Sequence, residues 1–330
     1  MKPLRVKLNA RGQNAHHWQG QLPDGVDTIG DCRFILEKDD PDYDWLVVID
    51  DVSRQIQKEP ERLACADEHT LLVTTEPPTI TRYARGFSGQ FAHVLTSQPE
   101  STLPHLGRIH SHTGNLWFCG HRFSELDGHP LLAKTSAFST VCSSKQQKHT
   151  LHNERYRLTR WLSEQIPELE MFGHGVRYVD HKSDALDPYR FHLAIENYRG
   201  KHHWTEKLAD AFLCSCVPIY YGCENVADYF PVESFVEIDL FDREGSLEQI
   251  RELLADPNHY EKRREALIEA RRRVLHEHNL FHMIARIVEE RYQSGRPRSG
   301  RPMVGRRQMR WRRPTDAVEN AVWKIRRTLG

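Results

Sequence analysis

Residues 191–222, FHLAIENYRGKHHWTEKLADAFLCSCVPIYYG, constrain this chain more than any other stretch. Phe191, Leu193 and Ile195 alternate with other residues up to Glu196 and Asn197, the pattern of a sheet strand that ends there. Gly200 marks a loop, and Thr205 is placed to cap a helix opened by Glu206 and Lys207. Leu208, Ala211 and Phe212 recur at helical spacing, and the apolar run Val217–Tyr221 follows after a short connection. Strand, helix and strand in so few residues predict parallel pairing in an open α/β sheet. Such sheets bind ligands where strands end and helices begin, and the free N–H groups of a helix start attract phosphate.

The same alternation extends along the chain. Trp45–Ile49, Leu71–Thr75 and His93–Thr96 read as strands, with helices predicted over Glu59–Ala66 and Thr79–Phe87. Residues 97–130 are rich in Gly, His, Ser and Pro and read as loops closing a first domain. A second alternation follows: strand Ala137–Cys142, helix Asn153–Glu164, then the strand from Phe191. From Asp242 to about Gln293 the pattern is helical. The length of 330 residues suits two domains, and two strand–helix–strand series predict two doubly wound sheets facing a cleft.

The formal charge is zero, with 46 basic and 46 acidic residues. Residues 296–330 hold eleven Lys or Arg against two acids, so a basic tail is balanced by an acidic remainder. Gly295–Pro314 is poor in apolar residues and reads as flexible. Thr315 or Asp316 can then cap a helix with Val318, Ala321, Val322, Ile325 and Leu329 on one face. Lys324, Arg326 and Arg327 flank that face, a design for an anionic membrane surface over residues 315–329; docking on the protein itself and nucleic-acid binding are the weaker readings. No apolar run reaches the ~20 residues of a membrane span, and the first residues lack a signal-like hydrophobic stretch. The seven scattered cysteines form no Cys-x-x-Cys pair. The expected location is the cytoplasm, peripheral at the inner face of the membrane.

The central segment resembles the donor-binding motif of the α-1,3-fucosyltransferases, glycosyltransferase family 10. That motif is a Phe-x-Leu-x-Phe-Glu-Asn strand, a short loop and Thr-Glu-Lys opening a helix, matched by Phe191, Leu193, Glu196, Asn197, Thr205, Glu206 and Lys207. VPIYYG and YFPVESFVEIDLF resemble the segments that follow. The resemblance implies a GT-B architecture: an acceptor-binding Rossmann-like domain at 1–130, a nucleotide-sugar-binding one at 131–295 and a basic tail at 296–330. It implies an inverting transfer of fucose from GDP-fucose to a glycan hydroxyl, in bacterial surface polysaccharide, without metal or other cofactor and without a nucleic-acid partner.

Glycosyl transfer needs cations to neutralise the leaving diphosphate and a carboxylate to take the acceptor proton. Lys207 is the first candidate cation. Arg155 is the second; it opens the register of Leu158 and Leu162 and offers a planar fork to phosphate, while Lys145 is an auxiliary charge. The resemblance implies that Glu206 binds donor hydroxyls, that Glu196, Asn197 and Thr205 orient the donor loop, and that His203 stacks on the donor or bonds to it. Glu76 ends an apolar strand before Pro77 and Pro78. The family's Glu-Ser-Pro signature at the same place implies that it is the base. The acids of DDPDYDWLVVIDD flank a strand on both sides, and the paired histidines lack partners at zinc spacing, so neither predicts a metal site. Ile195, Tyr198 and His203 differ from the family pattern and leave another GDP-sugar as an alternative donor. A nucleotide- or nucleic-acid-binding protein without transferase activity is the second alternative.

Overall fold

A computed structural model describes residues 2–11, 18–37, 39–53, 60–114, 116–142, 150–173, 175–256 and 258–329. The chain divides into two compact units, Met1–Gly114 with Asn279–Gly330, and Asn115–His278. Each is built on a largely parallel sheet, the composition expected of a GT-B chain.

The first unit carries β1 (Leu4–Ala10), β2 (Thr28–Ile29), β3 (Cys32–Ile35), β4 (Trp45–Ile49), β5 (Thr70–Thr74), β6 (His93–Thr96) and β7 (Arg108–His110). Their order is β2-β3-β1-β4-β5-β6-β7. Only the β2–β3 pairing is antiparallel. β4 and β5 are buried along their whole length, as parallel strands covered on both faces must be. β1 lies inside this sheet although it contains Lys7, whose buried ammonium meets Glu61 at 2.6 Å and the carbonyl of Asp40 at 2.9 Å. A buried lysine is tolerated when it is paired in this way.

Two predicted helices of this unit are replaced by other structure. Residues 60–66 are not helical, and Glu59 lies outside the described residues. Their backbone groups serve a C-terminal segment instead: Leu63 N donates to the carbonyl of Arg301, and Met303 N donates to that of Glu61. The span 79–87 shortens to a helix at Arg85–Ser88, because Pro77 starts a turn that accepts from both Ile80 N and Thr81 N. The predicted loops of 97–130 contain β7 and a helix at Phe123–Leu126.

The basic tail is not a separate flexible segment. The chain crosses back at Asn279 through a helix at Leu280–Arg291, and 296–330 belongs to the first unit. Met303, Val304 and Met309 are buried in one cluster with Leu46, Leu72, Tyr83 and Phe87. Helices follow at Arg306–Arg312 and Pro314–Leu329. Asp316 turns outward from its own helix to accept from Gly86 N (3.0 Å) and Phe87 N (3.1 Å), capping a neighbouring helix. Counting arginines predicted solvation, but three apolar residues and a cap are enough to anchor the segment.

The second unit holds β8 (Ser136–Val141), β9 (Leu169–Phe172), β10 (Tyr189–Gly200), β11 (Val217–Cys223) and β12 (Val236–Glu237), ordered β12-β11-β10-β8-β9 and parallel throughout. Helices at His152–Gln165 and Glu206–Leu213 lie close to their predicted spans. The chain runs from β8 out to β9, then returns to lay β10 on the other side of β8. The order therefore reverses between β8 and β10, which is where ligands of such sheets bind.

Candidate functional site

The carboxyl ends of β8 and β10 open into a cavity of about 180 Å³. Thr140–Cys142, His192–Ile195, Arg155, Lys182, Glu206 and Lys207 line it. β10 pairs in register with β11 as far as Ile195 and then shifts before Gly200, so the chain leaves the ladder where the motif residues begin. Thr205 caps the 206–213 helix with its hydroxyl oxygen, which accepts from Lys207 N at 3.3 Å.

Three cations reach this helix start. Lys207 Nζ lies 2.9 Å from Glu206 Oε1 and 3.5 Å from Glu196 Oε2. Burial alone would discharge it, but Glu206 and Glu196 hold its pKa above the ordinary lysine value. Burial likewise works to raise Glu206, yet Lys207 and then Lys182 outweigh it and hold the carboxyl down to about 2. Arg155 is 7% exposed, donates from Nη1 to the carbonyl of Ile195 at 3.4 Å, and has no partner for Nε among the described residues. A buried guanidinium at a cavity wall suits an anionic ligand. Arg157 and Arg160 on the same helix point to solvent.

Lys182 was not singled out in the sequence. It lies in the irregular run DHKSDAL and its ammonium pairs with Asp210, which also accepts from Phe118 N at 2.9 Å. Asp210 is fully buried in an otherwise apolar helix segment, and an acid in that position is the sequence signal that a buried cation must face it. His192 is the other unforeseen lining residue. Burial, with Lys182 and Lys134 adding to it, lowers its pKa to about 3, and its Nδ1 is 2.8 Å from Ser139 Oγ.

The expected donor residues divide by role. Lys207, Glu206 and Arg155 line the cavity. Glu196 and Thr205 do not, because they are occupied with each other. Glu196 has no exposed surface and accepts from Thr205 N at 2.8 Å and from Thr205 Oγ1. They brace the helix start. His203 is also buried; its ring meets Tyr198 edge-on, and burial, then Lys207, lowers its pKa to about 3. Its ring packs the loop against Tyr198. Asn197 is half-buried, and its Oδ1 has no partner among the described residues. Lys145 lies outside the described residues. Glu76 belongs to the first unit, two residues beyond β5 and partly exposed. Away from the cavity, His121, Asp187 and Cys214 lie within 4.8 Å of one another, with His121 Nε2 already 2.8 Å from Asp187.

Cations gathered on a helix start at a switch point of a parallel α/β sheet form a site suited to a phosphate-bearing ligand. Residues 131–265 match the profile of glycosyltransferase family 10 (fucosyltransferase), C-terminal domain. Over these residues, less than half of its length, the chain is similar to that family. It is 35% identical over 83 residues to the α-(1,3)-fucosyltransferase FucT of Helicobacter pylori, covering 25% of this chain and 17% of that protein. It is 38% identical over 74 residues to an α-(1,4)-fucosyltransferase of Arabidopsis thaliana, covering 22% and 18%. The matched stretch thus spans less than a fifth of either relative. Among solved structures, an α1,3-fucosyltransferase with GDP-fucose aligns over 85% of this chain and 92% of its own, at 15% identity and a TM-score of 0.47.

Proposed function

We propose that the protein transfers fucose from GDP-fucose to a glycan hydroxyl with inversion at the anomeric carbon. The observation that carries this reading is the convergence of Lys207, Arg155 and Lys182 on one cavity inside the family 10 domain. The diphosphate of the donor lies against these cations, which neutralise the charge that builds as the bond from sugar to phosphate breaks. Because the charge is already fixed in side chains, the reaction needs no metal. Glu206 accepts from donor hydroxyls, and Glu196, Thr205 and His203 keep the loop and helix start in place. Glu76 takes the proton from the acceptor hydroxyl as its oxygen attacks the anomeric carbon and GDP departs. Two prolines directly after Glu76 restrict its backbone, which favours a fixed carboxylate.

The acceptor belongs to a bacterial surface polysaccharide, and the enzyme works at the inner face of a membrane. Supporting this, Val318, Val322 and Ile325 are all exposed on one face of the 314–329 helix beside Lys324, Arg326 and Arg327. No helix among the described residues is long and apolar enough to cross a membrane.

A thermal-shift series with GDP, UDP, CDP and GDP-sugars, with and without EDTA, tests the donor. The proposal expects selective stabilisation by GDP and GDP-fucose that EDTA does not alter. Lys207→Ala and Arg155→Ala should each weaken GDP binding about 10- to 100-fold, the range for a lost charge-assisted hydrogen bond. Preference for another GDP-sugar, or for UDP or CDP, overturns the donor assignment; dependence on added metal overturns the metal-free mechanism. Glu76→Gln should keep donor binding and lose transfer.

A further inference from the structure

We propose that the C-terminal segment 303–323 is a positioning device for Glu76, setting the direction of the carboxylate by clamping the chain that follows it. The inference rests on the reading of Glu76 as the base.

The clamp is built from separate attachments along 78–90. Trp323 Nε1 donates to the carbonyl of Pro78 at 2.9 Å. Arg306 Nη2 donates to the carbonyl of Arg82 at 3.0 Å, and its guanidinium lies 4.9 Å from the Tyr83 ring centroid. Glu319 pairs with Arg82 at 3.2 Å. Asp316 accepts from Gly86 N and Phe87 N. Gln90 exchanges hydrogen bonds with both backbone groups of Val304, at 3.0 and 3.1 Å.

The Trp323 attachment bears on Glu76 most directly. The proline rings fix φ at both 77 and 78 and the peptide units are planar, so only three ψ angles remain between the Cα of Glu76 and the Pro78 carbonyl. Holding that carbonyl therefore removes most of the backbone freedom left to Glu76 and fixes the direction in which its side chain leaves the chain. On the other side of the turn, Gln98 Nε2 donates to the carbonyl of Glu76 at 2.8 Å. Glu76 is held between Gln98, just after β6, and Trp323 of the 314–329 helix. Trp323 touches no reacting atom in this scheme; it acts through Glu76.

The test uses the full-length protein with Trp323→Phe, which keeps a ring and removes the N–H donor. Ile80 N and Thr81 N both donate to the Pro77 carbonyl, so their hydrogen exchange reports the opening of this turn without any assay of activity. Losing one neutral hydrogen bond should speed their exchange about three- to tenfold. The kcat should fall by a similar factor, with the KM for GDP-fucose and the GDP-induced thermal shift unchanged. Glu319→Gln, which breaks the Arg82 pair, should move both readouts in the same direction. Glu76→Gln is measured alongside and should abolish transfer with wild-type exchange. Unchanged exchange in Trp323→Phe overturns the clamp. Faster exchange with unchanged kcat, while Glu76→Gln is inactive, overturns its catalytic role. Normal transfer by Glu76→Gln removes the base assignment and the positioning role together.

Discussion

Thr205 and Glu196 form a closed pair beneath the cavity: the Thr205 backbone N–H and hydroxyl both lie within 2.9 Å of a carboxylate with no exposed surface. The same hydroxyl oxygen accepts from Lys207 N, so one side chain caps the helix and shields a buried charge. Thr205→Val keeps the shape and removes both functions. It should cost about 2–3 kcal/mol, the scale for leaving a buried charged group short of a partner, read from urea unfolding. Thr205→Ser should recover most of that loss. A Thr205→Val protein as stable as wild type would show that Glu196 is protonated or hydrated and has no need of the bond.

Lys182 and Asp210 should separate stability from binding. Burial raises the pKa of Asp210 against the opposing effect of Lys182, and Lys182 is in turn held charged by Asp210. Removing the cation alone leaves a buried carboxylate, so Lys182→Met should destabilise by about 3–5 kcal/mol. Lys182→Met with Asp210→Asn should restore much of the stability and leave GDP binding weakened. A double variant that binds GDP as wild type does would reduce Lys182 to a structural partner.

Acid should weaken the fold well before the carboxylates titrate. His192 and His203 have folded-state pKa values near 3 against an ordinary 6.5. Between these limits the unfolded chain takes up protons that the folded chain refuses, so stability falls as pH drops below 6.5. Each histidine should cost about 2 kcal/mol by pH 5. Glu206 acts in a lower window: its contribution is complete above its ordinary 4.5 and is lost as pH falls towards about 2. The loss of unfolding free energy between pH 7 and pH 5 should therefore be about 2 kcal/mol smaller in His192→Asn than in the wild type. Equal losses in both would mean that His192 is not held neutral.

The exposed face of the 314–329 helix should bind vesicles containing anionic lipid and release them at high salt, with little binding to neutral vesicles. Val318→Asp with Ile325→Asp should reduce cosedimentation at least tenfold while leaving GDP binding intact. Equal binding to neutral and anionic vesicles, or no effect of the substitutions, would count against a membrane role for this face.

The second unit was largely legible because its signals are local. Alternation in Phe191–Ile195, the cap at Thr205 and the helical spacing of Leu208, Ala211 and Phe212 each specify one element; the structure has both, with the strand running on past its expected end at Asn197 to Gly200. Lys182 was illegible because its only mark is a partner 28 residues away that happens to be buried. In the first unit, β1 was missed because Lys7 and Asn9 interrupt its apolar pattern, and their burial depends on distant partners such as Glu61 and Ser53 N. The Glu59–Ala66 and tail assignments failed together. Backbone groups of 61–65 bond to 299–303, a pairing that composition cannot reveal on either side.

The return of 279–330 to the first unit also bears on the order of synthesis. The second unit is one uninterrupted stretch, Asn115–His278, and can close while the rest of the chain is still being made. The first unit cannot, because Met303, Val304 and Met309 fill the cluster that covers β4 and β5. Its strands emerge first and must wait for a segment translated after the whole second unit. During that interval Leu46, Val48 and Leu72 lack their final cover, so a ribosome stalled before residue 303 should present the second unit folded and the first exposed to chaperones and proteases.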